Sequence, residues 1–289
     1  MKKIFFLAAA FAAMVSCSEN LENTPTTPAT DKLPINITTT LTRATDSAFE
    51  AGDKVGIYVV NEPNSLAASG NHVDNMGFTY STKWTPDTEI YWLDKSTKAD
   101  FYCYYPYAEA ASTTAHSFAT KADQSSLANY KASEFLWGKT TGVAPTEEAV
   151  NITTNHTFSN IVVVLKAGEG WGANAWSSAT KSVKVCNVKT EATIDLSTGV
   201  ATAIGAATSV TPYDEGTQYR ALIVPQTTAD GALIQAVVDG TTYTLSRAMT
   251  FKANKQHKFT VTINKLNNGV NVGIGSWEVD EEDYGGAAE

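Results

Sequence analysis

The chain has 289 residues, a net charge of −9, 43% hydrophobic residues and 10% aromatic residues. The acidic balance argues against nucleic-acid binding, which needs a basic face to neutralise phosphates. The length and apolar content suit two globular domains of ordinary size.

Met1-Lys2-Lys3 precedes a nearly unbroken apolar run from Ile4 to Val15, and Ser16-Cys17-Ser18 follows. Two lysines, a short apolar stretch and a small residue before the break are the parts of a secretory signal. The run is too short to cross a hydrocarbon layer of roughly 30 Å as a helix. A cysteine at the cleavage position makes residues 1–17 a lipoprotein-type signal with Cys17 as the lipidated residue. Several acyl chains on one residue anchor stably where a single chain is marginal. The plainer alternative is an ordinary signal peptide that contains a cysteine. Residues 18–34 are rich in Thr, Pro, Asn and Ser and read as a flexible tether.

From Ile35 the pattern has period two. Ile35, Ile37, Val55, Ile57, Val59, Phe101, Cys103 and Tyr105 alternate with smaller or polar residues, as half-buried strands require. The runs Ala149–Thr154, Phe158–Lys166, Tyr219–Val224 and His257–Ile263 do the same. Ala232–Val238 and Thr241–Leu245 flank Asp239-Gly240, a two-residue hairpin signal because a type I′ turn needs positive φ. Ala122–Lys131 and Ala173–Lys181 are candidates for short helices. The fold class is mainly β, with two tandem β-sandwich domains. Gly, Pro and acidic residues cluster from Gly142 to Glu148, which places the domains at 35–147 and 148–289.

No motif for catalysis or cofactor binding is present: there is no G-x-S-x-G, P-loop, H-E-x-x-H or G-x-G-x-x-G. His72, His116, His156 and His257 are scattered. His156, two residues before Phe158, reads as a structural residue that shares a strand face with it. Cys103 and Cys186 lack zinc-ligand spacing and read as small buried hydrophobes, a disulfide between them remaining open. Asp53 and Asp100 adjoin strands and suit caps or turns rather than an acid/base pair. Glu281, Glu282 and Asp283 lie in an acidic tail and lack the fixed loop that calcium needs. In Phe101-Tyr102-Cys103-Tyr104-Tyr105-Pro106-Tyr107, sugar stacking competes with core packing, and core packing is the expected use. A non-enzymatic protein with no catalytic residue, no metal and no cofactor is expected.

Arg43, Arg220 and Arg247 are the only arginines. Arg43 sits among the small residues of Thr42-Arg43-Ala44-Thr45, just beyond a candidate strand. It suits either a salt bridge or the cut site of an Arg-specific protease, since exposed loop tips are where proteases reach the backbone.

Several stretches are read together. They are Met14-Val15-Ser16-Cys17, Thr42-Arg43-Ala44, and the stretch Phe49 to Tyr58 with its Glu50-Ala51-Gly52-Asp53. Asp100 to Tyr107, Glu134-Phe135-Leu136-Trp137 and His156 to Ile161 follow, then Ala221 to Thr227 and Ile274-Gly275-Ser276-Trp277. In this order they resemble the fimbrillin family, the subunits of type V pili and related surface adhesins, with Met14 to Cys17 as the lipobox. The resemblance implies two tandem β-sandwiches of transthyretin-like, Greek-key type, which agrees with the alternation above.

It also implies export as a lipoprotein and cleavage by an Arg-specific protease between Arg43 and Ala44. The first strand, within 35–43, would then leave a groove that the C-terminal segment of another subunit fills. A sheet missing one strand exposes unpaired backbone groups and an apolar cleft, and an incoming strand satisfies both. The donor would come from 269–289, where Val270, Val272, Ile274 and Val279 offer apolar side chains. Ile274 and Val279 differ in parity, so a bulge or break near Ser276-Trp277 is expected. The implied partners are other pilin subunits, the protease, the outer membrane through the lipid on Cys17, and a host protein or glycan. The implied location is the outer membrane and cell surface, in a fimbrium. The alternative is a monomeric outer-membrane surface lipoprotein that binds a glycan or host protein.

Overall fold

A computed structural model describes residues 32–41, 48–266 and 269–274. Cys17, Arg43, Ala44 and Val279 lie outside the described residues. The first half contains β1 (Ile37–Leu41), β2 (Lys54–Asn61), β3 (Val73–Tyr80), β4 (Trp84–Pro86), β5 (Ala99–Tyr105), β6 (His116–Ala119), α1 (Leu127–Lys131), β7 (Leu136–Val143) and β8 (Val150–His156). Then come β9 (Ser159–Ala167), α2 (Ala173–Ser178), β10 (Lys181–Val188), β11 (Glu191–Asp195), β12 (Val200–Ile204), β13 (Thr208–Val210), β14 (Tyr213–Asp214) and β15 (Tyr219–Ile223). The last are β16 (Gln226–Thr228), β17 (Ala232–Val238), β18 (Thr241–Ser246), β19 (Met249–Phe251), β20 (Gln256–Leu266) and β21 (Gly269–Ile274).

The protein is mainly β, as its alternation requires. Each expected late strand is present within a few residues of its predicted ends. The β17–β18 hairpin closes with Val238 opposite Thr241, and Asp239 and Gly240 take φ of 47° and 80°. Both expected helices form but are short. Ser126 caps α1 by accepting the Asn129 N–H, and Ala132 follows its last residue.

A seven-stranded sheet runs β1-β8-β7-β5-β2-β3-β4. It includes β8, which begins beyond the expected border at 147/148, because Leu136–Gly138 of β7 pair with Thr154–His156. The chain leaves this sheet only after His156. Both faces of the sheet are buried at its centre. Val55, Ile57, Val59, Phe101, Cys103 and Ile152 pack on one side. Tyr58, Val60, Tyr102 and Tyr104 pack on the other, against Phe135, Ile194 and Leu196. The aromatic run is therefore core on both faces, with Tyr104 only 1% exposed.

The second face is covered by a three-stranded sheet, β12-β11-β6, whose β11 and β12 come from the later half of the chain. A third core lies between the four-stranded sheet β13-β10-β17-β18 and the five-stranded sheet β14-β15-β9-β20-β21. Val183, Val185, Ile234 and Ala236 from the first meet Ile161, Val163, Phe259 and Val261 from the second. Two sheets meeting through one apolar layer make a sandwich. The described residues from Leu33 onward pack as one unit, because β11 and β12 tie the later half to the first sheet.

Candidate functional site

The N-terminal segment of the first sheet is the feature that the sequence singled out. Leu33, Ile35, Ile37 and Thr39 share one parity. Ile35 and Ile37 are 2% and 5% exposed, Leu33 packs against the same core, and Asn36, Thr38 and Thr40 are exposed. Alternation of this kind puts one side of a strand into the core.

β1 pairs in parallel with β8, Ile37 opposite Val150 and Leu41 opposite Thr154. Every other pair in this sheet is antiparallel. The residues just before β1 bind on the opposite side. Ile35 donates its N–H to the Ile90 carbonyl at 2.8 Å, and the Trp92 N–H donates to the Leu33 carbonyl at 2.9 Å. The Trp84 indole N–H of β4 donates to the Thr39 hydroxyl at 3.0 Å.

β4 and β1 are opposite edges of the sheet. The segment 33–41 thus closes the sheet on itself, with β8 on one flank and the 84–92 region on the other. Beneath it lie Val150, Ile152, Ile90 and Trp92, all buried. An isolated parallel strand joined to no neighbour by a hairpin is held by sheet pairing and burial alone.

The described chain resumes at Ala48. Phe49 sits edge-on to Trp84 at 4.9 Å and to Tyr105 at 5.8 Å between ring centroids. The turn at Glu50-Ala51-Gly52-Asp53 is closed by the Asp53 carboxylate, which accepts the Glu50 N–H at 2.7 Å. Asp53 also accepts from the Tyr105 hydroxyl at 3.1 Å. Burial first, and then the Asp53 charge, push the Tyr105 hydroxyl pKa well above its ordinary value. Beside this turn lies a shallow open cleft, with Phe49, Tyr105, Tyr130 and Leu136 as walls and Glu50, Asp53, Lys131 and Glu134 as its polar groups.

The remaining candidates have structural partners. Asp100 accepts the Gly142 N–H at 2.9 Å and pairs with Lys139 at 3.5 Å. His156 pairs with Glu134 at 2.9 Å. It does not share a strand with Phe158, because β8 ends at His156 and β9 begins at Ser159. His72 is 2.6 Å from the Tyr91 carbonyl, and the His257 ring accepts the Lys252 N–H at 3.2 Å. Cys103 and Cys186 are both buried free thiols. Complete burial pushes the Cys103 thiol far above its ordinary pKa, which keeps it from the reactive thiolate form. Among the described residues, no cluster of His, Cys, Asp and Glu is placed to hold a metal ion.

Val270, Val272 and Ile274, expected in a donor segment, lie on β21. β21 pairs antiparallel with β20, Val261 opposite Ile274 and Leu266 opposite Gly269, at the end of its sheet. Sequence reading missed the 33–35 to 90–92 pairing and the Trp84 clasp. The alternation at Leu33 was the available signal for the first. Nothing local could reveal the second, since Thr39 and Trp84 are brought together only by the curvature of the whole sheet.

The architecture is that of a mainly β protein of stacked sheets. The chain belongs to the fimbrillin-like family, whose profile matches residues 42–277. A Bacteroides uniformis protein named as fimbrium subunit Fim1C is 25% identical over 299 aligned positions, covering 96% of each chain. Two crystal structures of proteins described as cell adhesion proteins are similar in fold. One, from Bacteroides uniformis, has a TM-score of 0.66 and 21% identity; the other, from Bacteroides ovatus, has 0.67 and 18%. Each likeness covers 85% of this chain and 96% of the other.

Proposed function

We propose that this protein is a structural or adhesive subunit of a cell-surface fimbrium, exported as a lipoprotein through Cys17 and anchored in the outer membrane before assembly. An Arg-specific protease cuts between Arg43 and Ala44, and subunits join by donor-strand exchange. In this reading the family's two sandwich bodies are the first sheet with the β12-β11-β6 sheet over it, and the pair of sheets that enclose the third core, and neither is catalytic.

The observation that carries the reading is the position of the 33–41 segment. It is a terminal strand, parallel to its neighbour, that seals an apolar slot on two flanks, and Arg43 follows two residues after it. A cut at Arg43 severs its only covalent tie to the rest of the sheet. Its departure leaves the β8 edge unpaired and Val150, Ile152, Ile90 and Trp92 facing a groove. An extended segment from residues 269–289 of a neighbour then supplies backbone hydrogen bonds along β8 and apolar side chains to the groove. Each aliphatic side chain fully buried there contributes about 1.5–3 kcal/mol. To donate, the segment must leave β20 of its own chain, and β20 can spare it because β9 flanks its other side.

The test is Arg43→Ala. The expected result is full-length lipoprotein on the surface and no ladder in unboiled detergent gels, whereas the unaltered chain has Ala44 as its N-terminus and forms a ladder. Polymers of normal length from Arg43→Ala would overturn the protease step.

One observation favours the second reading, a monomeric surface lipoprotein that binds a glycan. The cleft beside Phe49 combines the half-buried Phe49 and Tyr105 rings with carboxylates and an amine, a composition suited to sugar hydroxyls and faces. Glycan-array binding that Phe49→Ala abolishes, on a protein that never polymerises, would establish it instead.

A further inference from the structure

β12 ends the three-stranded sheet and pairs with β11 on one side only. Among the described residues, no backbone bond reaches its outer edge from elsewhere in the chain. Val200 is 61% exposed, Ile204 is 38% exposed, and Thr202 is exposed between them. An open edge is a template for another strand, and natural sheets blunt it with charge, proline, bulges or cover. β12 has none of these. By contrast β4 ends in Pro86 beside Asp87, and its edge is drawn toward β1 by the Trp84–Thr39 bond.

The sequence of this edge is nearly its own mirror image. Gly199-Val200-Ala201-Thr202-Ala203-Ile204-Gly205 reads almost alike in both directions about Thr202. The conformation repeats the symmetry. Gly199 and Gly205 both take φ of +75°, which glycine adopts without the Cβ penalty. The extended stretch is therefore cut off at equal distances on either side of Thr202.

We propose that β12 is a homotypic docking edge. A second copy of this chain adds its own β12 antiparallel, Thr202 against Thr202, and the two three-stranded sheets become one six-stranded sheet across a two-fold axis. The axis puts Val200 opposite the second copy's Ile204 and Ala201 opposite its Ala203. Both Val–Ile pairs fall on the outer face, where directly opposed β-branched pairs stabilise a sheet. Such an interface is isologous, each copy presenting the same patch.

The chain's acidity bears on this pairing only at the ends of β12. Glu191 and Asp195 lie on β11, opposite Ile204 and Val200, so their backbones stand two strand spacings, about 10 Å, from the second copy's β12. The Glu191 carboxylate leans across to Gly205, just past the Val200–Ile204 stretch that pairs. Asp195 is further turned to its own loop, accepting from the Ser197 N–H at 2.8 Å and hydroxyl at 2.6 Å. Five paired residues make a small interface, below the roughly 1,000 Å² of a lasting one. The contact is weak between free molecules and strong where many copies share one surface and the contacts act together. It is independent of strand exchange at β1.

The register itself is the test, made on the full chain at the cell surface. Directly opposed residues of antiparallel strands have Cα atoms about 4.5–5.5 Å apart, inside the disulfide range of roughly 4.4–6.8 Å. Thr202→Cys should give a covalent dimer under mild oxidation. Val200→Cys alone and Ile204→Cys alone should not, since each lies four residues, roughly 13 Å, from its own mate. Cells producing both of those variants should form the mixed dimer. Adding Val200→Lys to Thr202→Cys should reduce the dimer at least tenfold. The cross-link should persist in Arg43→Ala, so a failure of strand exchange leaves it intact. No dimer from Thr202→Cys, equal dimer from all three single cysteines, or loss of the cross-link in Arg43→Ala would each overturn the proposal.

Discussion

β1 and β21 are both edge strands near an end of the described chain, and they are held in opposite ways. β1 pairs in parallel with a strand more than a hundred residues away, and its approach segment is bonded on the other flank as well. β21 folds back on β20 across a two-residue gap and, among the described residues, has no hydrogen-bonded partner strand on its other side. The first is a long-range closure whose cost in chain entropy is high, and it fills a core. The second is a local hairpin at low entropic cost. A strand that closes a core leaves a groove when it goes, whereas a terminal hairpin strand leaves only an edge. The first kind makes an acceptor and the second a donor, which is the pairing that the proposed assembly needs.

The largest expected difference comes from removing each in turn. Deleting 33–41 strips Ile35 and Ile37 from the core, worth about 1.5–3 kcal/mol each before any cavity is counted. That is a large share of a stability of roughly 5–15 kcal/mol. The deletion should lower the thermal midpoint steeply and bind a hydrophobic dye. A synthetic peptide spanning 269–284 should reverse both effects. Deleting 269–289 should leave the midpoint nearly unchanged. If that second deletion proves as destabilising as the first, the contrast between the two ends is wrong.

A single residue sharpens the same contrast. Ile37→Ala should cost about 2–5 kcal/mol in denaturant unfolding, the range for a buried isoleucine truncated in a packed core. Trp84→Phe keeps the apolar ring and removes the bond to Thr39. Its cost should be about 0.5–1.5 kcal/mol, read in the same titration as a shift in midpoint without a change in slope.

The smallest effect is confined to acid and to the other face of the sheet. His116 of β6 is 5% exposed, between the Tyr104 and Phe135 rings at 5.3 and 5.7 Å. Burial holds its pKa below the ordinary value. The unfolded chain therefore takes up a proton near pH 6.5 that the folded chain refuses. The stability that neutral His116 contributes is complete above about pH 6.5 and falls as pH drops below it. His116→Phe should flatten that part of the acid loss, measured as the difference in melting midpoint between pH 7.5 and pH 5. An unchanged acid slope in the variant would assign it to other groups.

The sequence by itself determined what depends on neighbours along the chain. Period-two alternation marked the strands, because successive side chains on a pleated backbone point to opposite sides. Asp239-Gly240 marked its hairpin through positive φ, and the mirror pattern around Thr202 was already present as letters. Tertiary structure alone decided what depends on curvature and on distant partners. That β8 joins the first sheet rests on its pairing with β7, and nothing in Gly142–Glu148 forbids it. That Tyr102 and Tyr104 are core rather than a sugar platform follows from β11 and β6 covering them. Alternation gives two faces, and only the fold says whether one or both are buried. The meeting of Thr39 with Trp84 belongs to the same class: it exists because a twisted sheet brings its own edges together, a consequence of the whole sheet that no short stretch of sequence contains.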